Sequence, residues 1–264
     1  MLRQRLFTAI IGLPLLIAAI WFGEPWFTFL IAAAAIVGSL EFYRMASQSR
    51  IQPLTYLGAA WVLLLVLSPH CPYAGTTPFL ITSAIVISLI WLLFRSPREQ
   101  AFNNWAWTIA GILYVGWMLS YWVDLRNLEA GKAWVFWAII TTLASDTCAF
   151  FVGRAWGKHP LAPALSPGKT WEGAIGGLLA SVIVSPILGM ILSLPFNYWQ
   201  AALLGGVISI FAQLGDLVES LLKRNTGAKD SGSLLPGHGG ILDRIDSHIL
   251  TGAIAYYCAE FAAL

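Results

Sequence analysis

The chain has 264 residues, of which 58% are hydrophobic and only 11% are charged, with a formal net charge of +2. An ordinary soluble domain carries about 25% charged residues, so this composition excludes a water-soluble globule and predicts an integral membrane protein. The small net charge and the lack of a basic cluster in the sequence also exclude nucleic acid as an expected partner. The three cysteines, Cys71, Cys148 and Cys258, lie far apart and predict neither a disulfide framework nor a thiolate metal site.

Apolar segments follow one another along the chain, and several approach the roughly 20 residues that a helix needs to cross a bilayer. Clusters of Pro, Gly, Asn and charged residues separate the segments and predict short loops. The pattern therefore predicts an all-α, polytopic membrane protein with about nine transmembrane helices. The predicted spans are Leu6–Phe22, Trp26–Tyr43, Leu54–Leu67, Phe79–Phe94, Trp105–Trp122, Ala133–Val152, Gly173–Leu194, Trp199–Leu222 and Ser247–Phe261.

The distribution of basic residues predicts how these spans are oriented. The first span follows Arg3 and Arg5 as a signal peptide would, but the sequence after Phe22 is a poor cleavage site and another span follows at once, so we expect a retained helix. With nine spans, all Lys and Arg residues except Arg126 and Lys132 fall on the side of the amino terminus. The positive-inside rule then predicts a cytoplasmic amino terminus. Short loops and the lack of a transit segment favour a bacterial inner (cytoplasmic) membrane.

Carboxylates inside the predicted spans indicate a polar site. Asp146 lies in the sixth span, and Asp216 and Glu219 lie in the eighth. A carboxylate at helix-centre depth costs about 2.5 to 3.5 kcal/mol on insertion scales, so each should face a polar cavity or a cation. Asp216, Glu219, Ser220 and Lys223 are spaced i, i+3, i+4 and i+7 and share one helical face.

A charged, glycine-rich strip, DSGSLLPGHGGILDRID, occupies residues 230–246. Asp243 and Asp246 would align on one face if the ninth helix begins near Leu242, and with Asp216 they could converge as oxygen ligands for Mg²⁺. The alternative is that Asp243 with Arg244, or Asp230 with Lys229, are ordinary loop charges that cap the start of a helix.

The glycines of this strip, in Pro236–Gly240, permit a backbone to approach a ligand closely, and the helix start that follows offers a positive dipole end to an anion. The alternative is a flexible turn between two membrane helices. His238 could donate to a phosphate oxygen or brace the loop through a backbone carbonyl.

A second polar segment, LSPGKTWEGAIGG, covers Leu165–Gly177. Its GKT triplet lacks the glycine that a P-loop places four residues earlier, and no strand is expected before it, so we reject a P-loop. Lys169 is a predicted phosphate contact, with a snorkelling lysine at the membrane edge as the alternative.

Ser220–Asp246, SLLKRNTGAKDSGSLLPGHGGILDRID, follows the pattern S-x-x-K-R, four residues, K-D, then P-G-H-G-G-x-x-D-R-x-D. This 27-residue segment resembles the signature of the phosphatidate cytidylyltransferases, and SPGKTWEG resembles a second segment of that family. No motif of comparable specificity precedes Gly131. We therefore expect a single membrane domain, 1–264, in which residues 1–131 form helices without a specific motif and residues 132–264 carry the active site.

The resemblance implies transfer of a cytidylyl group from CTP to phosphatidic acid, giving CDP-diacylglycerol and pyrophosphate for phospholipid biosynthesis. It also implies dependence on Mg²⁺, with a second cation possible, and a homodimer in the lipid bilayer. The implied metal ligands are Asp216, Asp243 and Asp246, with Asp146 and Glu219 as further candidates. The implied catalytic residues, most of them phosphate contacts, are Lys169, Lys223, Arg224, Lys229, Asp230, His238 and Arg244. The implied substrate-binding residues are Ser166, Lys169, Ser220, Gly237, Gly239 and Gly240.

Two other function classes fit some of these features. An ion-coupled transporter also places carboxylates in membrane helices, but it predicts matched broken helices in two similar halves, whereas the charged features here crowd into the second half. A non-catalytic scaffold or lipid-binding protein would leave the clustered acids unexplained. Small residues such as Gly176, Gly177, Gly205 and Gly206 permit close helix contact, within one chain or between two.

Overall fold

The computed structural model describes residues 2–49, 51–95, 100–232, 234 and 239–262. Helices dominate these residues, with one short strand pair between the seventh and eighth helix. The helices are α1 Leu2–Phe22, α2 Trp26–Gln48, α3 Thr55–Leu67, α4 Thr76–Arg95, α5 Ala101–Gly111, α6 Met118–Asn127, α7 Gly131–Trp156, α8 Trp171–Ile191, α9 Tyr198–Thr226 and α10 Leu242–Ala262. A 3₁₀ turn, Ser68–His70, prolongs α3, and a π-helical stretch, Ile112–Trp117, joins α5 to α6.

Each predicted span lies within these helices or extends at most three residues beyond them, so the all-α, polytopic architecture is confirmed. Among the described residues, six helices are long and apolar enough to cross a membrane by length and composition: Trp26–Gln48, Thr76–Phe94, Ala101–Asn127, Gly131–Trp156, Trp171–Ile191 and Tyr198–Thr226. The first and third predicted spans correspond to shorter apolar helices, Gly12–Phe22 and Thr55–His70. The predicted start of the last helix near Leu242 is confirmed. The chain is a multi-pass membrane protein.

Large apolar side chains cover the outer faces of several helices. Phe22 is 72% exposed, Met190 77% and Trp199 79%. A soluble monomer rarely exposes extended apolar surface, whereas hydrocarbon chains solvate such side chains. The outward faces therefore fit a lipid environment.

A β-hairpin precedes α8. Strand β1, Pro160–Ala162, pairs antiparallel with β2, Ser166–Thr170. The expectation that no strand lies near this segment was wrong, because three prolines between 160 and 167 favour extended backbone over helix. Gly168, Lys169 and Thr170 lie within β2 itself, so GKT is not the loop between strand and helix that a P-loop requires.

The structure divides into two compact units, and both α9 and α10 contribute residues to each. Unit 1 comprises residues 1–124 and 225–244, and unit 2 comprises residues 125–224 and 245–264. The expectation of a single membrane domain stays a prediction.

Unit 1 is organised around the fully buried Tyr43 of α2. Its hydroxyl donates to the Thr108 carbonyl at 2.9 Å, and the Thr108 hydroxyl accepts from the Leu54 amide at 2.8 Å. Gly58 and Gly111 leave room for the ring, since a Cβ at either position would collide with it. Tyr43 therefore ties α2 to α3 and α5.

In unit 2, glycines allow helix backbones to touch. A Cβ at Gly173 of α8 would lie 2.7 Å from the Ala149 carbonyl oxygen of α7, and one at Gly177 would lie 2.8 Å from that of Ser145. Gly205 brings α9 against α8 in the same way, since a Cβ there would lie 2.6 Å from the Ser181 carbonyl oxygen. Both Gly177 and Gly205 thus serve contacts within the chain.

Candidate active site

Three carboxylates meet in unit 2. One oxygen from each of Asp216, Glu219 and Asp246 lies within 4.8 Å of the others. Glu219 is fully buried, while Asp216 and Asp246 are partly exposed. We name these three residues the acid cluster; its members come from α9 and α10.

Helix geometry and a close backbone contact explain this convergence. Asp216 and Glu219 are three residues apart on α9 and therefore project from one face. The preceding residue, Gly215, packs against the backbone of α10, where a Cβ would lie 2.6 Å from the carbonyl oxygen of Asp246. A glycine is required here so that α9 and α10 can approach closely enough for their acids to meet.

Two lysines neutralise part of the negative charge. The Lys169 ammonium lies 2.7 Å from Asp216 Oδ2, and the Lys223 ammonium lies 2.7 Å from Glu219 Oε2. Lys223 follows Glu219 by one helical turn, as the spacing in the sequence predicts, and half-buried Ser220 lies beside them on α9. Lys169 comes from β2, so the hairpin contributes directly to the site.

Asp146 adds a fourth acid from α7. It interacts electrostatically with Asp216, Asp246 and Lys169. The Asp246 carboxylate also accepts a hydrogen bond from the backbone amide of Ser247 at 2.7 Å, which fixes its orientation. Unit 2 therefore brings together four of the five acids that the sequence analysis selected as metal ligands.

Polar contacts at both ends hold the hairpin that carries Lys169. Arg224 Nε donates to the Leu165 carbonyl at 3.1 Å, linking the turn to α9. The Thr170 hydroxyl caps α8 by accepting from the Gly173 amide at 3.2 Å. The predicted substrate residue Ser166 is half-buried at the start of β2.

The donor chemistry of the acid cluster suits a divalent cation. Hard cations such as Mg²⁺ prefer carboxylate oxygens together with water and phosphate oxygens. The adjacent ammonium groups of Lys169 and Lys223 suit the phosphates of an anionic ligand. The same small volume thus presents ligands for a metal and partners for a phosphate.

The fifth predicted acid, Asp243, lies in unit 1 and has different partners. Its Oδ2 atom accepts from the Ser231 amide at 2.9 Å, the Ser231 hydroxyl at 2.9 Å and the Gly240 amide at 2.8 Å. Gly239 adopts φ +81°, a left-handed conformation that favours glycine. Asp243 thus links Ser231, near the amino end of the glycine-rich strip, to Gly240, and its role as a metal ligand stays a prediction.

Glu41 of α2 contacts the same segment, and the sequence analysis missed it. Only 7% exposed, it accepts from the Ser231 hydroxyl at 3.2 Å, the Ile241 amide at 3.1 Å and the Leu242 amide at 2.9 Å. Glu41 is the only acidic residue of the largely apolar 23-residue helix α2. The rule that selected Asp146, a carboxylate within an apolar span, would have selected Glu41 too.

The basic and acidic residues predicted near the strip differ from the acid cluster in their exposure. Arg224, Lys229, Asp230 and Arg244 are exposed. Gly237 and His238 lie outside the described residues, and their roles stay predictions.

Comparison with known proteins assigns the chain to a family. The model of the cytidylyltransferase family matches residues 3–262. The phosphatidate cytidylyltransferase of Bacillus subtilis is 31% identical, over 97% of both chains. That of Synechocystis sp. is 32% identical, over 96% of this chain and 95% of its own. Phosphatidate cytidylyltransferase 4, chloroplastic, of Arabidopsis thaliana is 35% identical, over 97% of this chain and 72% of its own. With its acid cluster and two lysines set among membrane helices, this chain belongs to the cytidylyltransferase family.

Proposed function

We propose that the protein transfers the cytidylyl group of CTP to phosphatidic acid, giving CDP-diacylglycerol and pyrophosphate in phospholipid biosynthesis. The observation that carries the proposal is the acid cluster with its two lysines, in a chain whose family model spans residues 3–262. Ligands for a metal and partners for phosphates are what a reaction between two phosphorylated molecules requires.

The physical state of the two substrates fits the architecture. Phosphatidic acid keeps its acyl chains in the bilayer, whereas CTP arrives from water. Lys169 lies on a hairpin that precedes α8, while Asp216 and Glu219 lie within the long apolar helix α9. A site that combines a residue of a hairpin with residues of a membrane helix is suited to a lipid phosphate and a soluble nucleotide.

The reaction joins one phosphate to another. An oxygen of the phosphatidate phosphate attacks the α-phosphorus of CTP, the bond from that phosphorus to the bridging oxygen of the β-phosphate breaks, and pyrophosphate leaves with the bond's electron pair. The attacking phosphate is already anionic near neutral pH, so alignment and charge neutralisation matter more than a strong general base.

Asp216, Glu219 and Asp246 are the proposed ligands of Mg²⁺, with Asp146 as a further acid beside them. A bound metal would offset the charge that develops on the phosphate oxygens. Lys169 and Lys223 hold phosphate oxygens of the substrates, and their ion pairs with Asp216 and Glu219 keep the ammonium groups in position before substrates bind. Asp243 as a ligand rests on its spacing from Asp246 and on the family resemblance, and a second cation rests on the resemblance.

The proposed location is the inner (cytoplasmic) membrane, with the amino terminus and the active site facing the cytoplasm. The excess of Lys and Arg in alternate loops supports this orientation. A homodimer is proposed on the family resemblance. The exposed apolar faces of the helices provide surface for either lipid or a second copy.

A labelled-lipid assay tests the proposal. Purified protein in mixed micelles receives phosphatidic acid and CTP labelled at the α-phosphate. We expect a labelled lipid and an equal amount of pyrophosphate in the presence of Mg²⁺, and loss of both products when EDTA removes the metal. Unlabelled lipid after prolonged incubation with saturating Mg²⁺ would overturn the proposed reaction, and undiminished product in EDTA would overturn its metal dependence.

A further inference from the structure

We infer that Glu41 is a positioning residue for cytidylyl transfer: from α2 it fixes Ser231 and the segment Gly240–Asp243, part of the strip in which the family resemblance places substrate and metal contacts. The inference rests on the proposed function, and it assigns a role in the reaction to the amino-terminal half of the chain, where the sequence shows no motif.

The hydrogen bonds of Glu41 connect residues that lie far apart in the sequence. Its Oε1 atom accepts from the Ile241 amide, and its Oε2 atom accepts from the Leu242 amide and the Ser231 hydroxyl. Ile241 and Leu242 stand at the start of α10, where backbone amides lack partners within the helix. Glu41 therefore caps α10 from a helix about 200 positions earlier in the sequence.

The glycines of the segment are fitted to this carboxylate. The three atoms nearest to a Cβ placed at Gly232 all belong to Glu41, with Cδ at 2.8 Å and Cγ at 3.1 Å. A Cβ at Gly240 would collide with Glu41 Oε2 and Ser231 Oγ. Neither glycine has a positive φ, so both are needed for space and not for backbone conformation. The segment is built around the Glu41 side chain.

Ser231 couples Glu41 to Asp243. Its hydroxyl lies 3.2 Å from Glu41 Oε2 and 2.9 Å from Asp243 Oδ2, and a hydroxyl carries one proton to donate. The Asp243 amide in turn donates to that hydroxyl oxygen at 3.3 Å. Loss of Glu41 would therefore release the helix start and also alter the brace that Asp243 provides.

These contacts change the expected role of the α10 start. Helix amino termini attract anions through free amides and the helix dipole. Here the amides of Gly240, Ile241 and Leu242 donate to Asp243 and Glu41, so protein carboxylates take the place of a bound phosphate. The helix start acts as a rigid support, and the substrate phosphates must be held by other groups.

The first test is Glu41→Gln, which keeps the size of the side chain but places an NH₂ group against an amide donor. We expect turnover to fall at least tenfold, the effect of about one lost charged hydrogen bond. Hydrogen exchange of peptides covering 239–246 should quicken at least tenfold, and the variant should still elute as a folded protein. The control is Ser39→Ala: Ser39 is buried on the same helix, but its hydroxyl donates only to the Ile36 carbonyl.

A second variant reaches the same contact from the other side. Gly232→Ala displaces the carboxylate without changing residue 41, and we expect the same pairing of slower turnover and faster exchange. Its control is Gly12→Ala, because Gly12 lies at a position where a methyl group meets nothing within 4 Å.

Wild-type turnover in Glu41→Gln would overturn the inference, as would reduced turnover with unchanged exchange in 239–246, or an equal loss in Ser39→Ala. If Glu41→Gln fails to fold, the two readouts on Gly232→Ala decide the matter. Failure of the proposed function can be distinguished from failure of this inference. If the proposed function is wrong, the wild-type protein itself makes no labelled lipid, while the exchange comparison still reports whether Glu41 holds the segment.

Discussion

The acid cluster and the contacts of Glu41 use carboxylates in different ways. In the acid cluster, Asp216 and Glu219 face the ammonium groups of Lys169 and Lys223. In unit 1, Glu41 and Asp243 accept hydrogen bonds from backbone amides and from Ser231. Lysine ammonium groups sit on flexible side chains and can move from an acid to a substrate phosphate. Backbone amides at a helix start are fixed in position.

The two sets of partners therefore suit these acids to different roles. An acid paired with lysine can release its partner to a phosphate and take up a metal ion. An acid that receives amides is already satisfied and stabilises the local backbone. Substitutions at Asp216, Asp243, Gly215 and Ser231 test this distinction, and their expected effects decrease in that order.

Asp216→Asn should abolish detectable turnover, with a loss of at least about 10³-fold, because it removes both a proposed metal ligand and the partner of Lys169. The measurement is labelled-lipid formation at several Mg²⁺ concentrations. Glu129→Gln, an exposed acid of the same unit, is the control and should retain wild-type turnover. Activity within threefold of wild type in Asp216→Asn would remove the acid cluster from the reaction.

Asp243→Asn should lower turnover by about 100-fold, since an amide group cannot accept all three donors that converge on Oδ2. If Asp243 is also a metal ligand, the Mg²⁺ concentration for half-maximal turnover rises about tenfold. An unchanged Mg²⁺ requirement would confine Asp243 to bracing the strip.

Gly215→Ala should reduce turnover about tenfold, because a methyl group against the Asp246 carbonyl separates α9 from α10 and loosens the acid cluster. Gly206→Ala on the same helix provides the control, since its methyl group would meet Val182 at an ordinary 3.4 Å. Equal rates for both variants would show that the close contact at Gly215 does not set the geometry of the acids.

Ser231→Ala should have the smallest effect, a two- to fivefold loss, which corresponds to about 0.5 to 1 kcal/mol for one neutral hydrogen bond. Glu41 keeps two amide donors, and Asp243 keeps the amides of Ser231 and Gly240. In the Glu41→Gln background the same substitution should cost less than it does alone, and strict additivity would show that Ser231 does not couple the two acids.

The sequence predicts much of the fold because membrane insertion imposes a simple rule on it. Long apolar runs must become helices, since backbone groups find no other partners in hydrocarbon. Asp216, Glu219 and Lys223 follow from the same logic, because helical spacing alone places them on one face. Their meeting with Asp246 could only be suggested, since it depends on a backbone contact at Gly215.

Other features escaped the sequence for physical reasons. The hairpin that carries Lys169 consists of two short strands, whose pairing no periodic pattern announces. Glu41 lies within a predicted span, so a polar contact for it could have been expected, but its partners could not be named. Two of its donors are backbone amides, which look the same at every position of a sequence. The π-helical stretch Ile112–Trp117 likewise has an ordinary apolar composition.

The close backbone contact between α7 and α8 determines where this protein tolerates substitutions. Main-chain atoms meet there at Gly173 and Gly177, so neither helix can slide without a steric clash. Phe150, Phe151 and Ile183, on the outward surfaces of the same two helices, are each more than half exposed. Their exchange for other apolar residues should adapt the protein to bilayers of different composition and leave the spacing between Asp146 and Lys169 untouched.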